Sequence, residues 1–180
     1  MLKANTELLY LAVAVVCALL GAIMDVRSRR IPNYITLPGI GLGLVLHGLL
    51  GGWRQLGLAA LACLICGSVF LVFWLAGGMG AGDVKLMAAV GCLAGMDSVA
   101  YLLIWTALAG GVMAIALALW RGRLTETLKN MGALALHHRS EGLTPHPSLN
   151  VDSTWTLRLP YGLAIAAGTA LTLCLLVVQR

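Results

Sequence analysis

Two of the seven acidic residues stand where an apolar chain does not ordinarily carry charge. Asp83 follows four glycines in Gly77-Gly78-Met79-Gly80-Ala81-Gly82-Asp83-Val84-Lys85, a stretch lying between two apolar runs. Asp25 closes the first apolar run, just ahead of Arg27, Arg29 and Arg30. An ionisable group at the edge of a membrane segment marks a functional site by default. If the two carboxyls meet away from bulk water they cannot both ionise easily, so one proton is retained and their pKa values separate. The ionised member can then activate a water while the protonated one donates to a peptide carbonyl, which is the chemistry of hydrolysis by paired carboxylates. The plainer alternative is that Asp25 pairs with Arg29 at the surface and Asp83 caps the helix that follows it.

Whether the acids meet depends on the elements that carry them. At 60% hydrophobic and 11% charged over 180 residues, the chain is far from a soluble domain, in which roughly a quarter of residues are charged. Its apolar runs approach or exceed the ~20 residues that cross a ~30 Å hydrocarbon core. The expected fold is therefore all-α: one polytopic domain, 1–180, built as a bundle of six transmembrane helices. The helices fall at about 8–24, 34–50, 56–76, 84–96, 99–120 and 160–178, with a long loop at 121–159. Positive charge follows the first run instead of preceding it, so that run reads as a retained helix rather than a cleaved signal. Pro32 breaks the chain after it. Gly51-Gly52-Trp53-Arg54 makes the turn between the second and third helices. The fourth helix, at ~20 Å, is too short to cross unaided. The glycine-rich stretch ahead of it is accordingly predicted to be non-helical and to dip below the membrane surface, with Gly80 and Gly82 needed for φ > 0 or for close approach of another segment. In the long loop Leu124, Leu128, Met131 and Leu134 recur at helical spacing, which predicts an amphipathic helix on the membrane surface.

The net charge of +5 does not imply nucleic acid, because the basic residues are dispersed among short loops. With both termini outside, nine of the twelve basic residues face the cytoplasm, leaving Lys3, Arg54 and Arg180 on the other side; that asymmetry sets the orientation. Asp25 and Asp83 then share the cytoplasmic ends of their helices, and Asp97 falls at the opposite end. No metal and no cofactor is expected. Cys63 and Cys66 have zinc-like spacing without a second ligand pair, and read as small residues packed inside a helix. His137 and His138 are neighbours that point to different helix faces and read as loop residues.

These residues carry a resemblance. Asp25-Val-Arg-Ser-Arg-Arg-Ile-Pro-Asn33 and Gly80-Ala-Gly-Asp-Val-Lys85 resemble the two active-site signatures of the type IV prepilin peptidases, membrane aspartic proteases with a Gly-x-Gly-Asp motif. Leu159-Pro160-Tyr161-Gly162 resembles the start of their last helix. The resemblance implies that Asp25 and Asp83 are the catalytic pair. It implies that Gly80, Gly82, Lys85, Pro32, Asn33, Pro160, Tyr161 and Gly162 shape the site or bind substrate. It also implies the partners, a prepilin or pilin-like helix presented from the lipid bilayer, and a location in the bacterial inner membrane. About nine residues join the first two helices, so the zinc-binding domain that longer members carry there, and the methyltransferase activity linked to it, are not expected. The form looks most like the peptidases of Flp/Tad pili. The rival function is a small proton- or cation-coupled transporter with Asp25 and Asp83 as ion-binding acids.

Overall fold

A computed structural model describes residues 2–122, Thr125 and 160–178, and the described residues form an all-helical bundle. The long polar segment, with the expected amphipathic helix and with His137 and His138, lies outside the described residues. In chain order the helices are α1 (Leu2–Ser28), α2 (Asn33–Leu75), α3 (Ala81–Ala94), α4 (Val99–Trp120) and α5 (Tyr161–Val178), with a short 3-10 turn, Met96–Ser98, between α3 and α4.

The first helix continues past its apolar stretch, so Asp25 lies inside α1 and not at its close. The helix ends one turn later. Arg29 takes a left-handed conformation (φ 52) and donates its N–H to the Asp25 carbonyl at 2.8 Å, the way an αL residue closes a helix C-terminus. Ser28 Oγ donates to the Met24 carbonyl at 2.8 Å beside it.

The expected turn over four residues between the second and third helices is made by one. α2 runs for 43 residues, and its only non-helical position is Gly52 (φ 72, ψ −174), a conformation that glycine alone adopts cheaply. A straight helix of that length would extend ~65 Å, yet both arms lie along the 14-residue α3. Gly43 abuts the Cys92 backbone from one arm, and Gly67 abuts Ala88 from the other. The chain therefore folds back on itself at Gly52.

Four helical segments, Asn5–Ser28, Asn33–Leu75, Met96–Trp120 and Tyr161–Val178, are long and apolar enough to cross a membrane. The expected six crossings count the arms of α2 separately and include α3, which at 14 residues is too short to cross unaided. α3 is the centre of the bundle. Leu86, Met87, Ala89, Val90, Cys92 and Leu93 are all buried, enclosed by α1, both arms of α2 and α5. Small residues allow that close approach, as is usual where helices pack in lipid. Cys66 fits against Gly91, where an added Cβ would sit 2.6 Å from its sulfur.

Candidate functional site

α1 and α3 run antiparallel. Cys17 lies at the level of Ala89 and Leu93, through the Gly39 that touches all three, while Gly21 packs on Leu86. One turn beyond Gly21 is Asp25, and one turn before Leu86 is Asp83. Ridge packing of the two helices thus brings the carboxyls to the same end of the bundle.

Each acid is held by a backbone N–H from a helix N-terminus. Gly162, in the first turn of α5, donates to Asp25 Oδ2 at 3.0 Å. Gly80, the residue that caps α3, donates to Asp83 Oδ2 at 3.2 Å. Such ends carry unpaired N–H groups and the positive pole of the helix dipole, and both favour a carboxylate. The environments differ otherwise. Asp25 is half-buried, whereas Asp83 is 7% exposed and its Oδ1 is buried with no hydrogen-bond partner among the described residues. Burial first, and the charge of Asp25 second, push the Asp83 carboxyl up to about 7. The protonated form of Asp83 is therefore favoured well beyond that of an ordinary carboxyl, and its Oδ1 is the oxygen left bare.

The glycine stretch is non-helical, as expected, through Gly80, and the expectation is corrected beyond it. The helix begins at Ala81, so Gly82, Asp83 and Lys85 are helical, and Gly80 has φ −82. The left-handed glycine of the stretch is Gly77 (φ 75). Gly80 and Gly82 serve by close approach. A Cβ on Gly82 would lie 3.1 Å from Ile31 Cβ, and one on Gly80 would lie 3.3 Å from Asp83 Oδ2. Ile31, 8% exposed, holds the 29–32 connection against Gly82 in the first turn of α3, and Pro32 caps α2. At the rim Lys85 Nζ donates to Asn33 Oδ1 at 3.0 Å, tying the start of α2 to the start of α3.

α5 closes the site from a third side. Pro160 lies one residue before the helix and accepts the Leu163 N–H at 3.0 Å, while Tyr161 packs against the core. Gly162 is where side-chain bulk is excluded, since an added Cβ would stand 3.0 Å from Asp25 Cβ and 3.1 Å from Ala22 Cα. Asp97, in the 3-10 turn beyond the far end of α3, is not part of the pair. Among the described residues no group of three or more His, Cys, Asp or Glu could hold a metal ion. Two contributors escaped the residue-level reading: the backbone N–H of Gly162, and Ile31. The signal for Ile31 was present, as one apolar residue between Arg30 and Pro32 in an otherwise polar connection. A backbone donor leaves no such mark.

Residues 12–115, which include both acids, match the model of the type IV leader peptidase family. The chain is similar to the prepilin leader peptidase/N-methyltransferase of Aeromonas hydrophila, 36% identical over 108 residues, covering 54% of this chain and 36% of that protein. It is similar to the proteins so described from Burkholderia pseudomallei (strain 1026b), 33% identical over 118 residues and covering 60% and 37%, and from Neisseria gonorrhoeae, 34% identical over 108 residues and covering 56% and 37%. The chain spans little more than a third of the length of these relatives. No solved structure matches it.

Proposed function

Because the chain belongs to the type IV leader peptidase family, we propose that it is a membrane-embedded aspartic endopeptidase that removes the leader from prepilins and pilin-like proteins, with Asp25 and Asp83 as its catalytic pair. The observation that carries this is the convergence of the two acids from separate helices, one held by Gly162 N–H and the other presenting a bare, buried Oδ1. In the reaction the ionised carboxylate takes a proton from water as that water attacks the scissile carbonyl, and the protonated acid donates to the carbonyl oxygen. Collapse of the tetrahedral species returns a proton to the leaving amine. The two acids exchange roles and the pair is regenerated. Gly80, Gly82, Ile31 and Pro32 fix where Asp83 stands, Gly162 fixes Asp25, and Lys85 with Asn33 holds the rim.

A substrate with a basic leader and an apolar helix after the cleaved bond suits this placement. The leader stays in water, the helix lies in the bilayer beside the enzyme, and the bond falls at the depth of the pair. The nine-to-three division of basic residues supports a cytoplasmic site in the inner membrane, with both termini on the other side. We propose the small prepilins of Flp/Tad pili as the substrate, because the connection between the first two helices is too short for the zinc-binding domain that longer members carry there. The comparisons give ion transport by the two acids no support.

The deciding experiment is cleavage of a co-expressed prepilin by Asp25→Asn and Asp83→Asn. Asparagine keeps the shape of the side chain but cannot ionise or pass a proton. Each variant should insert, fold and leave the leader in place, and the double variant should be no worse than either single one. Asp97→Asn should cleave normally. Substantial cleavage by either single variant would sink the assignment.

A further inference from the structure

Three of the five cysteines gather where the second arm of α2, the part beyond Gly52, packs on α3. The two helices run antiparallel there. Cys66 and the Ala62 carbonyl close on Gly91, where an added Cβ would stand 2.6 Å and 3.0 Å from them, and Gly67 meets Ala88 further along. Backbones that approach this closely bring neighbouring side chains into contact. Cys63, next to Ala62, and Cys92, next to Gly91, thereby meet, and their thiols hydrogen-bond across the interface. The Cys66 sulfur is turned onto Gly91 instead, so the contact is a pair and not a trio.

The two thiols differ in their surroundings. Cys92 is fully buried between both arms of α2: its S–H reaches the Ile40 carbonyl at 3.5 Å, and a Cβ on Gly43 would stand 3.0 Å from its sulfur. Cys63 is only half-buried. It lies eleven residues past Gly52, roughly 16 Å along the helix axis and so near the middle of a ~30 Å hydrocarbon core. What reaches its exposed side comes from the acyl chains and not from water. Two sulfurs fall short of the four ligands of a structural zinc site, and among the described residues no third ligand joins them. One reaction consumes both thiols and leaves no charge in hydrocarbon, where an unpaired ion is costly. That reaction is oxidation to a disulfide.

We propose that Cys63 and Cys92 are a redox modification site, closed to a disulfide by a lipid-soluble two-electron acceptor of the quinone class. In that step the two S–H bonds break and one S–S bond forms, while two electrons and two protons pass to the quinone, which leaves as the hydroquinone. Cys63 is the sulfur the quinone meets, and the Cys92 S–H beside it is the donor that steadies that sulfur as its proton departs. Reopening takes a dithiol reductant, by thiol–disulfide exchange. The closed bond ties the second arm of α2 to the helix that carries Asp83 and constrains the unfolded chain between residues 63 and 92, which raises stability. This site does not depend on the peptidase assignment, because neither cysteine belongs to the acid pair.

The test uses the full chain in phosphatidylcholine vesicles, treated with decylubiquinone, whose fully substituted ring disfavours arylation by a thiol, then denatured, alkylated and weighed. The treated protein should take up the alkylating reagent at two fewer of its five cysteines and regain both after dithiothreitol in denaturant. Digested without reductant, it should release one peptide joining Cys63 to Cys92, and before denaturation it should unfold at a higher temperature than untreated protein. Oxidised glutathione, which stays in water, should leave both thiols alkylatable. Cys63→Ala, altered on the lipid side of the interface, should keep its four remaining thiols after the quinone, whereas Cys174→Ala should still lose two. All five thiols surviving the quinone, two thiols lost in Cys63→Ala, a peptide joining Cys63 to Cys66 or to a second chain, or closure by oxidised glutathione as fast as by the quinone would each overturn the proposal.

Discussion

Replacing Gly162 with alanine probes the architecture of the pair without touching either carboxyl. The added Cβ would stand 3.0 Å from both Cβ and Oδ2 of Asp25 and 3.1 Å from Ala22 Cα, against about 3.5 to 4.0 Å for an unstrained carbon contact. α1 and α5 must therefore part by roughly 0.5 to 1 Å at this point. The Gly162 N–H to Asp25 Oδ2 bond, now 3.0 Å, stretches to about 3.5 Å or more, where little of it survives. For stability, overpacking of this size costs about 1 to 3 kcal/mol, offset in part by alanine's better helix propensity, up to about 1 kcal/mol. The variant should still fold. For catalysis, displacing a reacting group by about 1 Å costs on the order of 10²-fold. The expected result is leader removal about 100-fold slower in kcat/KM, followed on gels with purified enzyme and prepilin, beside a thermal unfolding curve moved by only a few degrees. Gly111→Ala is the control: an added Cβ there meets no atom within 4 Å, and the wild-type rate should persist. A folded Gly162→Ala enzyme cleaving at the wild-type rate would refute the role given to the α5 N-terminus.

The proton on Asp83 predicts the alkaline limb of the pH profile. Burial and Asp25 raise that carboxyl to about 7, so its proton is present below this pH and lost above it; kcat should fall up to tenfold per unit on the alkaline side, and a flat profile from about pH 6 to about pH 9 would exclude Asp83 as the proton donor. Gly82→Val places methyls where a Cβ alone already approaches Ile31 to 3.1 Å, and should abolish cleavage more than it reduces folded protein in the membrane; full activity would show that the 29–32 connection does not position Asp83. A reporter fused after Arg30 should read as cytoplasmic and one fused after Trp53 as periplasmic, and finding both on one side would remove the assigned orientation.

Composition and charge were enough to fix the class of this protein, because burying backbone in lipid leaves helices as the way to satisfy its hydrogen bonds, and the apolar runs were long enough to be read directly. The two acids were legible for the same reason, as charges standing at the edges of apolar segments. Their pairing was legible only as shared depth. Parity along the chain gives the end of the bundle at which a residue lies, but not which helices touch. The structure decided that through small residues whose contacts have no sequence period: Gly21 against Leu86, and Gly162 against Asp25. It also decided the state of the glycine stretch, where local composition argued for irregular backbone. Gly80 instead caps a helix that carries Gly82 and Asp83, because packing on Ile31 rewards a helical turn there more than glycine's entropy penalises it. The backbone donor that holds Asp25 was beyond reach of sequence in principle, since every residue but proline carries an N–H and only the tertiary fold chooses which one meets the carboxylate.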